Sequence, residues 1–155
     1  MTMATRLQTC LKQNQSRYEL LQHRHSNSSR ETARRAGIPP DRMAKPVILD
    51  DTRGHHLMAV IPASRQIDLI KVRQVTKRDW KLAMETEFGS NFADCEIGAI
   101  PAVGSAFGME TLIDQSLTEG KDVYFEAGDH EALVHMSTDQ YLQLMPKAQR
   151  GSLSS

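Results

Sequence analysis

The sequence has few of the features that announce a particular chemistry. Of its 155 residues only two are cysteine, Cys10 and Cys95, and they form no CxxC pair. A disulfide framework and a cysteine-built zinc site are therefore set aside, and both thiols read as free. No apolar run approaches the length of a membrane span, and the opening "MTMATRLQTCLKQNQ" lacks the apolar centre of a signal peptide. The expectation is a soluble cytoplasmic protein with no membrane partner. HExxH, GxGxxG and GxxxxGK[ST] are absent, which removes the common metalloprotease and nucleotide-binding motifs. Ser105 in "GSAFG" lacks the GxSxG spacing of a nucleophile elbow. No internal repeat is visible.

Net charge is also missing, with 19 basic residues balancing 19 acidic ones. The balance conceals an asymmetry: residues 1–81 carry 16 Lys/Arg against 7 Asp/Glu, and residues 82–155 carry 3 against 12. If the halves separate in space, a basic face is available to a polyanion; if they interleave, the charges neutralise one another as solvated surface.

The length suits one domain spanning residues 1–155, with a core over about 16–146 and a flexible tail at 147–155. Leu7 and Leu11 predict a short amphipathic helix over 4–14, and "YELLQHRHS" predicts a strand. Ser28 or Ser29 can cap a helix through "RETARRA" that stops at Gly37, before the Pro39-Pro40 turn. A strand from Lys45 to Asp50 and the run "HHLMAVIPAS" predict a hairpin. Ile67, Ile70 and Val75 are expected on one face of a following helix, and "DWKLA" as a short strand before a helix in "METEFGSNF". "TLID", "DVYFEA" and "EALVHM" read as strands, the last two joined by the turn at "GDH". Ser137 and Gln140 predict a capping box for a helix carrying Tyr141, Leu144 and Met145 on one face. Strands arrive in hairpins, so the fold class is α+β, with a central mixed, mostly antiparallel sheet or partial barrel flanked by short helices.

Pro46 forces Lys45 into an extended conformation at a strand mouth. There Lys45 can be a snorkelling surface residue, a phosphate ligand or a catalytic cation. The segment "CEIGAIPAVGSAFG" is rich in small residues and carries a single charge, as expected of a loop built for close approach. His23 and His25 would face the same side of the predicted strand and His130 and His135 flank the last hairpin, but no HExxH, paired CxxC or acidic cluster at ligand spacing supports a metal reading, and ordinary surface or core histidines are expected. No metal or organic cofactor is expected.

The order "AGIPPDRMAKPVIL", "VIPASRQIDL", "DCEIGAIPAVG" and "YFEAGDHEALVHMS" resembles the YbaK/EbsC family, also called the prolyl-tRNA synthetase-associated or INS-like editing domain, over about residues 16–146. The resemblance implies a freestanding deacylase that cleaves the ester joining a wrong, small amino acid to the 3′ end of a tRNA. It implies Lys45 and His130 as catalytic residues. It places Gly98, Ala99, Ile100, Pro101, Ala102 and Gly104 around the amino acid, together with Gly128 and Asp129 of the turn.

The sequence departs from the family beside that pocket: the proline expected at Ala102 stands one place earlier as Pro101, and Pro46 replaces the family's usual Thr or Asn. Arg24, Arg30, Arg34, Arg35, Arg42 and Arg53 are candidates for acceptor-stem phosphates. The implied partners are aminoacyl-tRNA and an aminoacyl-tRNA synthetase, not DNA, with a monomer as the default state. A non-catalytic module that binds a tRNA end or a synthetase with the same fold is the alternative.

Overall fold

The computed structural model describes residues 3–23, 28–96 and 98–155. Helix α1 (Thr5–Gln13) turns Leu7, Cys10 and Leu11 inward at i, i+3, i+4 spacing. Strand β1 (Glu19–Gln22) is followed by α2 (Ser29–Ala36). The Ser28 hydroxyl accepts the Glu31 N–H at the start of α2, a cap of about 1 kcal/mol, and Gly37 ends the helix at φ 70°.

Strands β2 (Ala44–Asp50) and β3 (His56–Pro62) form the expected antiparallel hairpin, with Ala44 opposite Pro62 and Asp50 opposite His56. Its turn is tied by the Asp50 carboxylate, which accepts from Thr52 N–H, and by Asp51, which accepts from the backbone N–H groups of Arg53 and His55. Then come α3 (Leu69–Thr76), β4 (Lys81–Leu82), α4 (Glu85–Phe88), β5 (Glu110–Asp114), β6 (Asp122–Glu126), β7 (Ala132–Ser137), α5 (Thr138–Gln143) and β8 (Gln149–Gly151).

The strands build two sheets. One is antiparallel, in the order β1-β7-β6; the other is mixed, in the order β4-β2-β3-β5-β8, with β5 parallel to both of its neighbours. The sheets meet at a parallel bridge between Met43 and Tyr124. The main core lies between them and includes Ile48, Val60, Ile113, Phe125, Val134 and Tyr141. Helix α3 covers the other face of the mixed sheet together with Trp80 and Leu153. Ala33 and Ile38 cover Met43 and Leu133 beside Tyr124 on the outer face of the smaller sheet. The α+β class with a mixed sheet is as expected.

Three local expectations fail. Residues 147–155 are not a frayed tail: β8 extends the mixed sheet, Leu153 is fully buried, and Asp114 accepts both the Leu153 N–H and the Ser154 hydroxyl. Ile70 is 71% exposed. Asp68 caps α3 and starts it at Leu69, which turns Leu69, Val72 and Val75 inward and leaves Ile70 about 160° from the centre of that face. Ser137 does cap α5 through Gln140 N–H, but the Gln140 side chain turns to accept the Arg17 N–H instead of closing the box.

The basic and acidic halves interleave. Arg6 pairs with Asp94 at 2.9 Å and Arg78 reaches Glu110 at 3.6 Å. No helix is long and apolar enough to cross a membrane among the described residues.

Candidate active site

The start of β2 lies beside β6, and the turn after β6 in turn receives the loop before β5. Met43 and Tyr124 are bridge partners in parallel chains and point to the same side, into the cluster under α2. Side chains alternate along strands, so two residues further on Lys45 and Glu126 share that side. Glu126 is 1% exposed, and His130, which leaves the following turn, stands with Nδ1 3.7 Å from its carboxylate. The loop before β5 docks on the same turn: Glu96 N–H donates to the Gly128 carbonyl at 2.7 Å, two residues before Gly98.

Lys45 is half-buried, and its Nζ donates to the Arg65 carbonyl at 3.1 Å. That carbonyl is held in place because Ala63 N–H donates to Met43 and the Ser64 hydroxyl to Asp41. Burial, and then the neighbouring Arg30 charge, lower the Lys45 pKa. Arg30 and Arg34 are exposed one turn apart on α2 and line a groove of about 550 Å³ with Gly37, Ile38 and Pro40.

The turn is tightly specified. Gly128 has φ 126°, and a Cβ there would meet Ala4 at 3.0 Å. Asp129 accepts the N–H groups of Glu131 and Ala132. This holds His130 at φ 62°, a left-handed conformation that costs a non-glycine residue roughly 1–3 kcal/mol.

The small-residue loop divides by accessibility. Gly98, at φ 87°, is exposed. Ala99 and Ala102 have no accessible surface, and Ile100 is only 6% exposed. Pro101 is buried as well. Ile100 and Ala102 belong to the main core, and the Ala102 carbonyl accepts the Tyr141 hydroxyl. Contact between Ala102 and a bound amino acid therefore requires the loop to move. Gly104 answers a packing demand, since a Cβ there would lie 1.8 Å from Thr111 Oγ1.

The arginines also divide. The Arg42 guanidinium donates to the carbonyls of Asp122, Ser116 and Leu117 and to the Thr138 hydroxyl, so its fork is engaged inside the fold. Arg53 sits in the hairpin turn, beyond the end of β2 opposite Lys45. Arg24, His25 and the side chain of Arg35 lie outside the described residues. Sequence reasoning missed Glu126, although its place four residues before His130 in "EAGDH" was a usable signal.

A family model described as the aminoacyl-tRNA editing domain matches residues 23–144. The chain belongs to that family. The resemblance of the four segments to YbaK/EbsC proteins is borne out, and aminoacyl-tRNA editing is the activity of the group to which this editing domain belongs. No curated protein sequence matches it.

Among solved structures, the domain is similar to hypothetical protein APE2540, at 20% identity and TM-score 0.84, over 97% of this chain and 99% of that one. It is also similar to "a putative trans-editing enzyme for prolyl tRNA synthetase", at 18% identity and TM-score 0.82, over 98% and 96%. A third likeness, to a structure described as a "Putative signal transduction protein" from Marinobacter aquaeolei, has 20% identity and TM-score 0.77 and covers 99% of this chain and 31% of that one. At these identities the structural likenesses speak to the fold.

Proposed function

We propose that this editing domain acts in trans as an aminoacyl-tRNA deacylase, hydrolysing the ester of a tRNA mischarged with a small amino acid. The observation that carries this reading is the Met43–Tyr124 bridge, which sets the start of β2, two residues before Lys45, beside the strand that leads into the His130 turn, on which the loop before Gly98 docks. The solved structure named as a trans-editing enzyme for prolyl tRNA synthetase supports the same direction.

An aminoacyl ester is already activated, so catalysis needs positioning of a water and stabilisation of the developing oxyanion more than a strong nucleophile. Lys45 supplies a cation for the terminal phosphate or ribose. Backbone N–H groups of the loop around Gly98 are donors for the carbonyl oxygen as it gains charge. His130, 4% exposed, acts from just beneath the surface to orient the water or the substrate amine. The exposed α2 arginines, Arg30 and Arg34, extend the cationic surface toward the acceptor stem, and selection by size falls to the small side chains of the loop once it moves to admit the amino acid.

The test is hydrolysis of tRNAs mischarged with Ala, Ser, Thr, Cys and Pro by the wild type and Lys45→Ala. Turnover of one or two species, lost in the folded variant, is the expected result. Absence of turnover across the panel would overturn the deacylase reading, and retained tRNA binding would then favour a binding module.

A further inference from the structure

A second cluster lies at the other end of β2, away from the proposed editing site. Asp50 closes β2 opposite His56, which opens β3. Glu87 arrives from α4, and one carboxylate oxygen of each acid and one ring nitrogen of His56 all lie within 4.8 Å of one another. Asp50 is 5% exposed. His56 is half-buried, and its Nε2 atom is out of contact with solvent with no hydrogen-bond partner among the described residues, a cost that a protein seldom carries without compensation.

Two adjacent carboxylates repel unless a proton or a cation is shared between them. A proton shared in the Asp50–Glu87 hydrogen bond, with Lys81 Nζ 3.8 Å from Asp50 Oδ2 and largely exposed, relieves the carboxylates, but neither matches the imidazole nitrogen among the described residues. The nearby Asp51 is already committed to His55 at 2.8 Å and Arg78 at 3.0 Å.

We propose that Asp50, His56 and Glu87 form a binding site for a divalent transition-metal ion of the zinc or cobalt type. One imidazole and two carboxylates suit such an ion better than Mg²⁺, which prefers oxygen donors alone. Three protein ligands leave a position for water. Bonds of about 2.0–2.2 Å require the donors to draw closer than they stand. Glu87 is the ligand that must shift: it is exposed on a four-residue helix, and its carboxylate has only a long hydrogen bond from Met84 N–H, at 3.4 Å, and its contact with Asp50 to rearrange. Metal binding would pin α4 and the adjoining β4 to the β2–β3 hairpin. At about 3.3 Å per strand residue the site is roughly 17 Å from Lys45, so the ion serves as a clamp and takes no part in deacylation.

The single tryptophan, Trp80, directly precedes β4 and reports on the site. Chelator-treated full-length protein is titrated with Co²⁺ and Zn²⁺, followed by calorimetry and by quenching of Trp80 fluorescence by Co²⁺. The expected result is one equivalent bound with saturable quenching, weakened about tenfold or more in Glu87→Gln and in His56→Gln and unchanged in His55→Gln. Absence of saturable binding, or binding undiminished in Glu87→Gln, overturns the proposal. Glu87 is exposed, so its variant remains informative even if His56→Gln does not fold.

Discussion

His130 Nδ1 stands 3.7 Å from a carboxylate oxygen of Glu126, and the two residues are 4% and 1% exposed. A buried carboxylate beside an imidazole at φ 62° ties the turn's geometry to the strand beneath it. Glu126→Ala is expected to lower stability by about 3 kcal/mol in urea denaturation, because a buried ionisable partner is lost. Glu126→Gln, which keeps the shape, is expected to cost less stability while reducing deacylation. Equal losses in both variants would count against a positioning role.

Arg42 and Arg34 should behave oppositely. Arg42→Ala strands three carbonyls and a hydroxyl, and about 3 kcal/mol or more of destabilisation is expected. Arg34→Ala leaves stability nearly unchanged, weakens tRNA binding and reduces the slope of log affinity against log salt by about one contact. Filter binding at several salt concentrations, beside thermal unfolding, separates the two.

Gly104→Ala is expected to destabilise by about 3 kcal/mol through its clash with Thr111 Oγ1 at 1.8 Å. Adding Thr111→Ala recovers only part of the loss, because the Met109 carbonyl would still lie 2.9 Å from the new methyl group. Full additivity in the double-mutant cycle would show that the two positions do not meet.

Deleting residues 149–155 removes β8 and the buried Leu153. A loss of about 3 kcal/mol or more is expected, read from the denaturant midpoint. An unchanged midpoint would mean that β8 adds nothing to the sheet.

Burial opposes ionisation of Asp51, yet hydrogen bonds from the Arg53 and His55 backbone, the His55 ring and Arg78 outweigh it and hold the carboxyl well below the usual carboxylate range. Its folded-state pKa is depressed, so its contribution is complete above the unfolded value of about 3.9 and drains away as pH falls toward the folded one. Asp51→Asn is expected to be less stable than wild type at pH 7, with the gap narrowing by pH 3. A gap independent of pH would exclude this linkage.

The hairpin, the α2 caps and the "GDH" turn were legible because each is written in adjacent residues: Ser28 three before Glu31, Gly37 after Ala36, and Gly128-Asp129 between two apolar strands. Ile70 was misread because an i, i+3 pattern does not say where the helix starts, and Asp68 sets that point. The tail was misread because "QRGSLSS" has little strand character of its own. It pairs only because β5 offers an open edge and Asp114 offers a buried acceptor.

The sequence by itself determined the element types, the four ordered segments that carry the family resemblance, and the candidate residues Lys45, Gly98 and His130. Tertiary structure alone decided which charges are available and which are consumed. Arg42 and Arg34 are alike in one dimension, and only packing turns one into an internal strut while leaving the other on the surface. It also decided that Lys45 and Glu126, 81 positions apart, share a side of the fold through the Met43–Tyr124 bridge. It decided likewise that Asp50, His56 and Glu87 meet. The physical reason is common to all of these: local conformational preference is a short-range property of the chain, whereas a site's electrostatics depends on strand register and burial, which exist only once distant segments are in contact.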